Sequence, residues 1–243
     1  MWSAALDGSD VRPLSTGAAL DERPAFSPDG QQIAFISDRG GARAIWIVSR
    51  DGGAARELVK AVVISSLSWS PDGQRIVYAA PAGESPGLWT VAVSNGRVSR
   101  LPTRFAANEP SWNPARDVIA YVAGPPGGGP AQSQPIAFVD SAGRDLYQPL
   151  ALPGSAGARG LGFANGILAW SPDGKRLAAI SQPTNAAASV WILDPDAAEG
   201  FTKILDLPPG PRLRGISWTP DGSSVFVGKR DWTSDIVLLD QNK

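Results

Sequence analysis

One short unit recurs along this chain and constrains its fold more than any other feature. Phe26-Ser27-Pro28-Asp29-Gly30, Trp69-Ser70-Pro71-Asp72-Gly73, Trp112-Asn113-Pro114-Ala115-Arg116-Asp117, Trp170-Ser171-Pro172-Asp173-Gly174 and Trp218-Thr219-Pro220-Asp221-Gly222 are five copies of it. Their leading aromatics are 43, 43, 58 and 48 residues apart, the length of a four-stranded propeller blade. In each copy Pro presets φ and Gly supplies a positive φ, so the chain reverses tightly. A short apolar run follows at once, as in Ile33–Ile36, Ile76–Ala79, Val118–Val122, Leu177–Ile180 and Val225–Val227. Such runs are the kind buried between packed sheets. A third segment opens with a hydrophobic residue and Trp at Trp46, Trp89 and Trp191, and Asp51-Gly52 and Asn95-Gly96 favour the primed turns of hairpins. A fourth, more polar stretch, such as Arg97–Leu101, closes each unit at the sheet edge. The chain therefore reads as an all-β propeller of four-stranded antiparallel blades, one domain over residues 1–243 with repeats centred near 26, 69, 112, 170 and 218.

Residues 1–15 match only the third and fourth strands of a blade, with Trp2 in the Trp position and Val11–Leu14 as the outer strand. The last repeat supplies three strands. Two counts fit this pattern. Val11–Leu14 completes the last sheet and closes a five-bladed ring, or the chain is a six-bladed ring whose first blade lacks its inner half. The second count leaves apolar blade faces open and predicts oligomers or strand exchange.

Composition removes most chemistry. With 22 Lys+Arg against 23 Asp+Glu the formal net charge is −1, which argues against a nucleic-acid partner. The chain has no His and no Cys, so Cys/His zinc sites, Ser-His-Asp and Cys-His triads and disulfides are excluded. There is no Gly-x-Ser-x-Gly elbow, phosphate-binding loop or kinase signature, and Gly160-Leu161-Gly162 lacks the rest of a dinucleotide fingerprint. No stretch reads as a signal peptide or a membrane span, so membrane insertion is not expected and localisation stays open between periplasm and cytoplasm.

The repeated Trp/Phe-Ser-Pro-Asp-Gly, with Ile33-Ala34-Phe35-Ile36-Ser37-Asp38-Arg39-Gly40 and Ile45-Trp46-Ile47-Val48-Ser49-Arg50-Asp51-Gly52-Gly53, resembles the TolB-like, WD-repeat-related propeller repeats of bacteria. The resemblance spans nearly the whole chain. It implies a propeller that serves as a protein-interaction module, as a sensor behind kinase or winged-helix domains, or as a gating domain of prolyl-oligopeptidase-like enzymes. Asn113-Pro114-Ala115-Arg116-Asp117 departs from the pattern and puts the turn of that repeat in doubt.

Propellers bind ligands at the mouth of the central channel. The loops leading into the inner strands carry Asp21-Glu22-Arg23, Ser65-Ser66, Asn108-Glu109, Asn165-Gly166 and Arg212-Leu213-Arg214, each at a similar distance before its aromatic. A ring brings them toward one axis as a mixed-charge mouth. Its groups either pair with one another or bind a protein, peptide or small polar partner, with Asp21, Glu22, Arg23, Ser66, Asn108, Glu109, Arg212 and Arg214 as the candidates. Eight of the nine Trp fall at repeat positions; Trp232, in a hairpin loop near the mouth, either anchors a peptide or stacks on a ligand, or covers the edge of the last blade. Two long loops, Gly124–Pro135 and Pro153–Gly166, fall on the same face. The runner-up is a divalent-metal-dependent ester or phosphoester hydrolase, with calcium or magnesium held by Asp21, Glu22 and Glu109 beside Asn108. Asp194–Gly200 lacks an EF-hand pattern and reads as a solvated hairpin turn. The main expectation is a binding or scaffold propeller with no cofactor.

Overall fold

The computed structural model describes residues 1–3, 11–15, 19–60, 64, 66–80, 87–124, 135–151, 168–181, 188–197, 200–207, 212–230 and 235–240. Strands β1 (Trp2–Ser3) and β2 (Arg12–Pro13) form a two-stranded sheet. The first repeat is β3 (Asp21–Phe26), β4 (Gln32–Ser37), β5 (Ala44–Ser49) and β6 (Arg56–Lys60). The second is β7 (Leu67–Trp69), β8 (Arg75–Ala80), β9 (Gly87–Ala92) and β10 (Val98–Leu101). The third is β11 (Ala107–Trp112), β12 (Ile119–Ala123) and β13 (Ile136–Val139), its outer edge reduced to bridges at Asp145 and Leu150. The fourth is β14 (Leu168–Trp170), β15 (Leu177–Ser181), β16 (Ala188–Leu193) and β17 (Phe201–Leu207). The fifth is β18 (Arg212–Trp218), β19 (Ser224–Arg230) and β20 (Asp235–Asp240). Each repeat is a sheet of three or four strands in sequence order, antiparallel throughout. No helix among the described residues is long and apolar enough to cross a membrane.

The second strand of each of the first four repeats is apolar on both faces because both are covered, whereas β19 of the fifth buries Val225 and Val227 and leaves Phe226 exposed. In β4, Ala34 and Ile36 pack toward Tyr78 and Trp69 of the second sheet, while Ile33 and Phe35 face the other way onto Leu14. In β8, Ile76 and Tyr78 face the first sheet, while Val77 and Ala79 meet Ile119 and Tyr121 of the third. Val118, Ala120 and Val122 then join the fourth sheet, which packs on Leu213, Val225 and Val227 of the fifth. The inner strands succeed one another as β3, β7, β11, β14 and β18.

Among the described residues Val11–Leu14 does not pair with the fifth sheet. Arg12 and Pro13 pair with Ser3 and Trp2, and Leu14, 4% exposed, caps the outward face of the first sheet against Ile33, Phe35 and Val48. Burying that apolar face outweighs adding one polar edge strand elsewhere.

The turns repeat atom for atom. Ser27 Oγ donates to Asp29 Oδ1 (2.5 Å) and accepts from Gln32 N (2.9 Å), while Asp29 Oδ1 accepts from Gln31 N (3.0 Å). Ser70, Ser171 and Thr219 repeat this with Asp72, Asp173 and Asp221. The glycines that close these turns have φ near +70°, which a β-carbon disfavours. In the third repeat Asn113 does the work of both Ser and Asp. Its Oδ1 accepts from Ala115 N (2.9 Å) and Arg116 N (3.0 Å), and its Nδ2 donates to Gly174 O (2.7 Å) in the next repeat. The altered motif therefore keeps its turn. A β-carbon on Gly174 would collide with Asn113 Oδ1, so Gly is required there for space as well as for φ.

A second device ties each repeat to the one before. Trp69 Nε1 donates to Ala25 O (2.9 Å), Trp170 Nε1 to Ser111 O (3.0 Å) and Trp218 Nε1 to Ala169 O (2.8 Å). Trp112 breaks the series. Among the described residues its Nε1 is buried without a partner, and its backbone N donates to Ser68 Oγ instead (3.0 Å).

Trp170→Phe is expected to cost about 1 kcal/mol more than Trp112→Phe in urea unfolding, because both lose buried volume but only the first loses a hydrogen bond. Asn113→Ala is expected to cost about 2–3 kcal/mol by leaving two backbone N–H groups unpaired. The hydroxyl donors hold the turn carboxylates below their ordinary value of 3.8, Asp221 at about 2. A carboxyl whose folded pKa is depressed stabilises the fold above its unfolded pKa and loses that contribution as pH falls. Urea midpoints are therefore expected to fall between about pH 4 and pH 2, with a shallower acid limb in Ser70→Ala.

Candidate functional site

The inner strands are built to leave a channel. The residue before the aromatic is Ala25, Ser68, Ser111, Ala169 or Ser217, small in all five repeats. These five line a central cavity of about 560 Å³ together with Arg23, Ser66, Glu109, Leu168 and Ile216. A larger side chain at any of the five would occupy that space.

At one end of the channel three of the five inner strands bulge at matching places. Glu22 pairs with Ile36 but Ala25 with Ala34, Asn108 with Val122 but Ser111 with Ala120, and Leu213 with Lys229 but Gly215 with Gly228. β3, β11 and β18 thus each carry one extra residue, which breaks pairing and re-aims a side chain. In β3 and β11 that distortion is carried by Arg23 (φ +56°) and Glu109 (φ +47°), both followed by Pro. Left-handed backbone at a residue with a β-carbon costs on the order of 1–3 kcal/mol.

The bulged residues meet. Arg23 Nη1 donates to Glu109 Oε2 at 3.0 Å and Nη2 to Oε1 at 3.5 Å, a two-point fork joining the first repeat to the third past Ser66 of the second. The two side chains are 15% and 5% exposed. Beside them, Ser66 Oγ and Asn108 Oδ1 are buried atoms with no hydrogen-bond partner among the described residues. Buried polar atoms of this kind are rare and call for an explanation such as a missing ligand or water.

The predicted site residues divide. The structure brings Arg23, Ser66 and Glu109 together on the channel wall, with Asn108 next to them. Asp21 and Glu22 belong to the rim of the first repeat instead. Asp21 is buried against the charged form, but donors from Ser15, Arg39 (2.7 Å) and Ser37 prevail and hold its pKa at about 2. Glu22 pairs with Arg43 at 2.5 Å. Arg212 and Arg214 place their backbone in β18, with the bulge at 214, and their side chains lie outside the described set. Trp232, the Gly160–Gly162 stretch, Asn165-Gly166 and most of both long loops lie outside the described residues. In the Asp194–Gly200 turn, Asp196 bonds Arg116 (2.7 Å) and Tyr147 (2.8 Å) and so acts as a tie between the third and fourth repeats.

Asp21, Glu22 and Glu109 do not come together around one point: each pairs with a different arginine. Among the described residues no three His, Cys, Asp or Glu are grouped to hold a metal ion. The geometry proposed for calcium or magnesium therefore does not form from these side chains. The small residues of the inner strands went unread in the sequence. Their signal was the invariable Ala or Ser one place before each aromatic.

A sequence profile of the TolB beta propeller domain matches residues 1–159, and the chain belongs to that family. The Tol-Pal system protein TolB of Bordetella pertussis is 42% identical over 48 residues, 20% of this chain and 11% of the relative. The crystal structure of TolB from Acinetobacter baumannii superposes with a TM-score of 0.77 at 21% identity, over 99% of this chain and 57% of that one. A Mycobacterium tuberculosis puromycin-hydrolyzing peptidase has the same fold in part, with a TM-score of 0.65 at 19% identity over 96% of this chain and 38% of that one. This chain thus spans a small part of the curated relative it matches and little more than half of the TolB structure.

Arg23→Met is expected to destabilise by about 2–4 kcal/mol, because it leaves the Glu109 carboxylate buried without its cation. Arg23→Met/Glu109→Leu should recover part of that loss, with a coupling energy of about 1–3 kcal/mol in the double-mutant cycle. Thermal unfolding is expected to be unmoved by EDTA or by added calcium or magnesium, since ions that bind only the folded state raise its Tm.

Proposed function

We propose that this chain is a non-catalytic binding propeller, the protein-interaction or sensor module of a larger bacterial protein, and that its partner is a polypeptide segment entering the channel beside Arg23 and Glu109. The observation that carries this reading is the conjunction of a strained ion pair at one channel end with two buried polar atoms that have no hydrogen-bond partner among the described residues, Ser66 Oγ on the same wall and Asn108 Oδ1 on the residue before Glu109. Backbone strain persists at sites where it serves pre-organisation. A peptide placing a carboxylate against Arg23 and a donor against Ser66 would use groups that already line the channel, with Asn108 Oδ1 one residue before Glu109 as a further acceptor. The pair then acts as a latch: the incoming charge replaces its partner, so the cost of opening is offset by the new contact. The family supports a protein partner, and the relative's own name places it in a protein system, Tol-Pal.

A random-peptide display library panned on the purified protein tests this. Enriched peptides should carry an acidic residue and lose binding at least tenfold on Arg23→Met/Glu109→Leu and on Ser111→Phe, which fills the channel. Peptides that bind those variants as well as they bind the parent would contradict the reading.

A further inference from the structure

On the opposite face, where the Ser-Pro-Asp-Gly turns lie, the seams between consecutive repeats are closed by one recurring contact. Arg75 of the second repeat stacks over the Trp112 ring of the third, 5.1 Å from its centre. Arg116 of the third lies over Trp170 at 6.0 Å and donates from Nη2 to Gly174 O at 3.0 Å. Arg176 of the fourth lies over Trp218 at 4.9 Å and donates from Nη2 to Gly222 O at 2.7 Å. A guanidinium over an indole face, with a carbonyl to take one N–H, is a favourable cation–π arrangement. Three seams carry their own arginine. Arg75 and Arg176 stand five residues after Ser70 and Ser171, and Arg116 reaches the same place from the altered turn.

The first seam departs from this pattern. Five residues after Ser27 stands Gln32, too short to cross to Trp69, and the space between is a cavity of about 390 Å³ walled by Pro28, Asp29, Gln32, Trp69, Asp72 and Gly73. Gln32 Oε1 is buried there and, among the described residues, has no hydrogen-bond partner. The Trp69 ring is already fixed by its bond to Ala25 O (2.9 Å). Gly73 is the counterpart of Gly174 and Gly222, whose carbonyls accept from the arginines of later seams. Asp29 and Asp72 add negative charge, held ionised by the Ser27 and Ser70 hydroxyls. At the rim of this cavity Arg56 donates to Val93 O at 2.6 Å.

We propose that the first seam is a receptor for an arginine side chain presented by a protein partner. The guanidinium lies over Trp69, donates to Gly73 O and to Gln32 Oε1, and faces the carboxylates of Asp29 and Asp72. The partner completes with its own arginine the contact that the chain supplies for itself in the other three seams. A guanidinium meets these demands better than an ammonium, because it is planar, stacks, and presents several donors in one plane. The site lies at the far end of the inner strands from Arg23 and Glu109, so it stands or falls separately from the channel.

The test uses the whole chain and N-acetyl-arginine methylamide as probe, followed by the indole N–H resonances in an NMR titration. The neutral isostere N-acetyl-citrulline methylamide is the control, and Trp69→Phe identifies the resonance. The expected result is a saturable, millimolar shift of the Trp69 indole with the arginine probe, unchanged in Arg23→Met/Glu109→Leu. Gln32→Arg should abolish it by filling the seam from within and should raise Tm by about 2–4 °C. Gln32→Met keeps the shape, removes only the unpartnered oxygen, and should weaken the probe roughly tenfold. A Trp69 resonance that does not move, citrulline binding equal to arginine, or undiminished binding in Gln32→Met would each overturn the proposal.

Discussion

Everything in this structure depends on sheets that cannot bury themselves. A four-stranded sheet with apolar side chains on both faces needs a neighbour on each side, and the repeats supply one another as neighbours in sequence order. Packing alone would allow the sheets to slide. The indole bonds from Trp69, Trp170 and Trp218 to the carbonyls of Ala25, Ser111 and Ala169 fix the relative height of adjacent sheets, and the arginine–indole stacks fix it again at the turn face. Phe26, the one inner aromatic that is not Trp, has no N–H to give and is 61% exposed.

That rigid stack lets the inner strands hold a strained arrangement. Arg23 and Glu109 keep a left-handed backbone because the sheets around them are already committed. Two charges are thereby presented from different repeats to one point on the channel axis, with the small residues behind them keeping the channel open. The pairing of these two groups stands beside Ser66 Oγ and Asn108 Oδ1, which have no hydrogen-bond partner among the described residues. The strands satisfy charge at the mouth but leave neutral polar atoms for something else.

The architecture was legible in the sequence because turn chemistry and hydrophobic period are local. Ser-Pro-Asp-Gly dictates its own reversal, and the apolar runs that follow show by their continuity that both faces are covered. Asn113 was legible only in part, since its substitution for Ser and Asp together depends on a carbonyl in the next repeat. The site was half legible. Position before the aromatic singled out Arg23, Ser66 and Glu109, which the structure sets together on the channel wall, but Asp21 and Glu22, two residues and one residue before Arg23, are drawn to Arg39 and Arg43 of their own repeat. A one-residue bulge decides which side chain reaches the axis, and a bulge leaves no mark in composition. Likewise, the pairing of residues 11–14 depended on which apolar face needed cover, which only the packing reveals.

The central claim is that the channel end bearing Arg23 and Glu109 is where a partner segment enters. Hydrogen–deuterium exchange with a saturating acidic peptide tests it most directly. The account predicts new protection concentrated in β3, β7 and β11, with the outer strands β6 and β10 unchanged. Protection confined to outer strands, with none in β3 or β11, would contradict it.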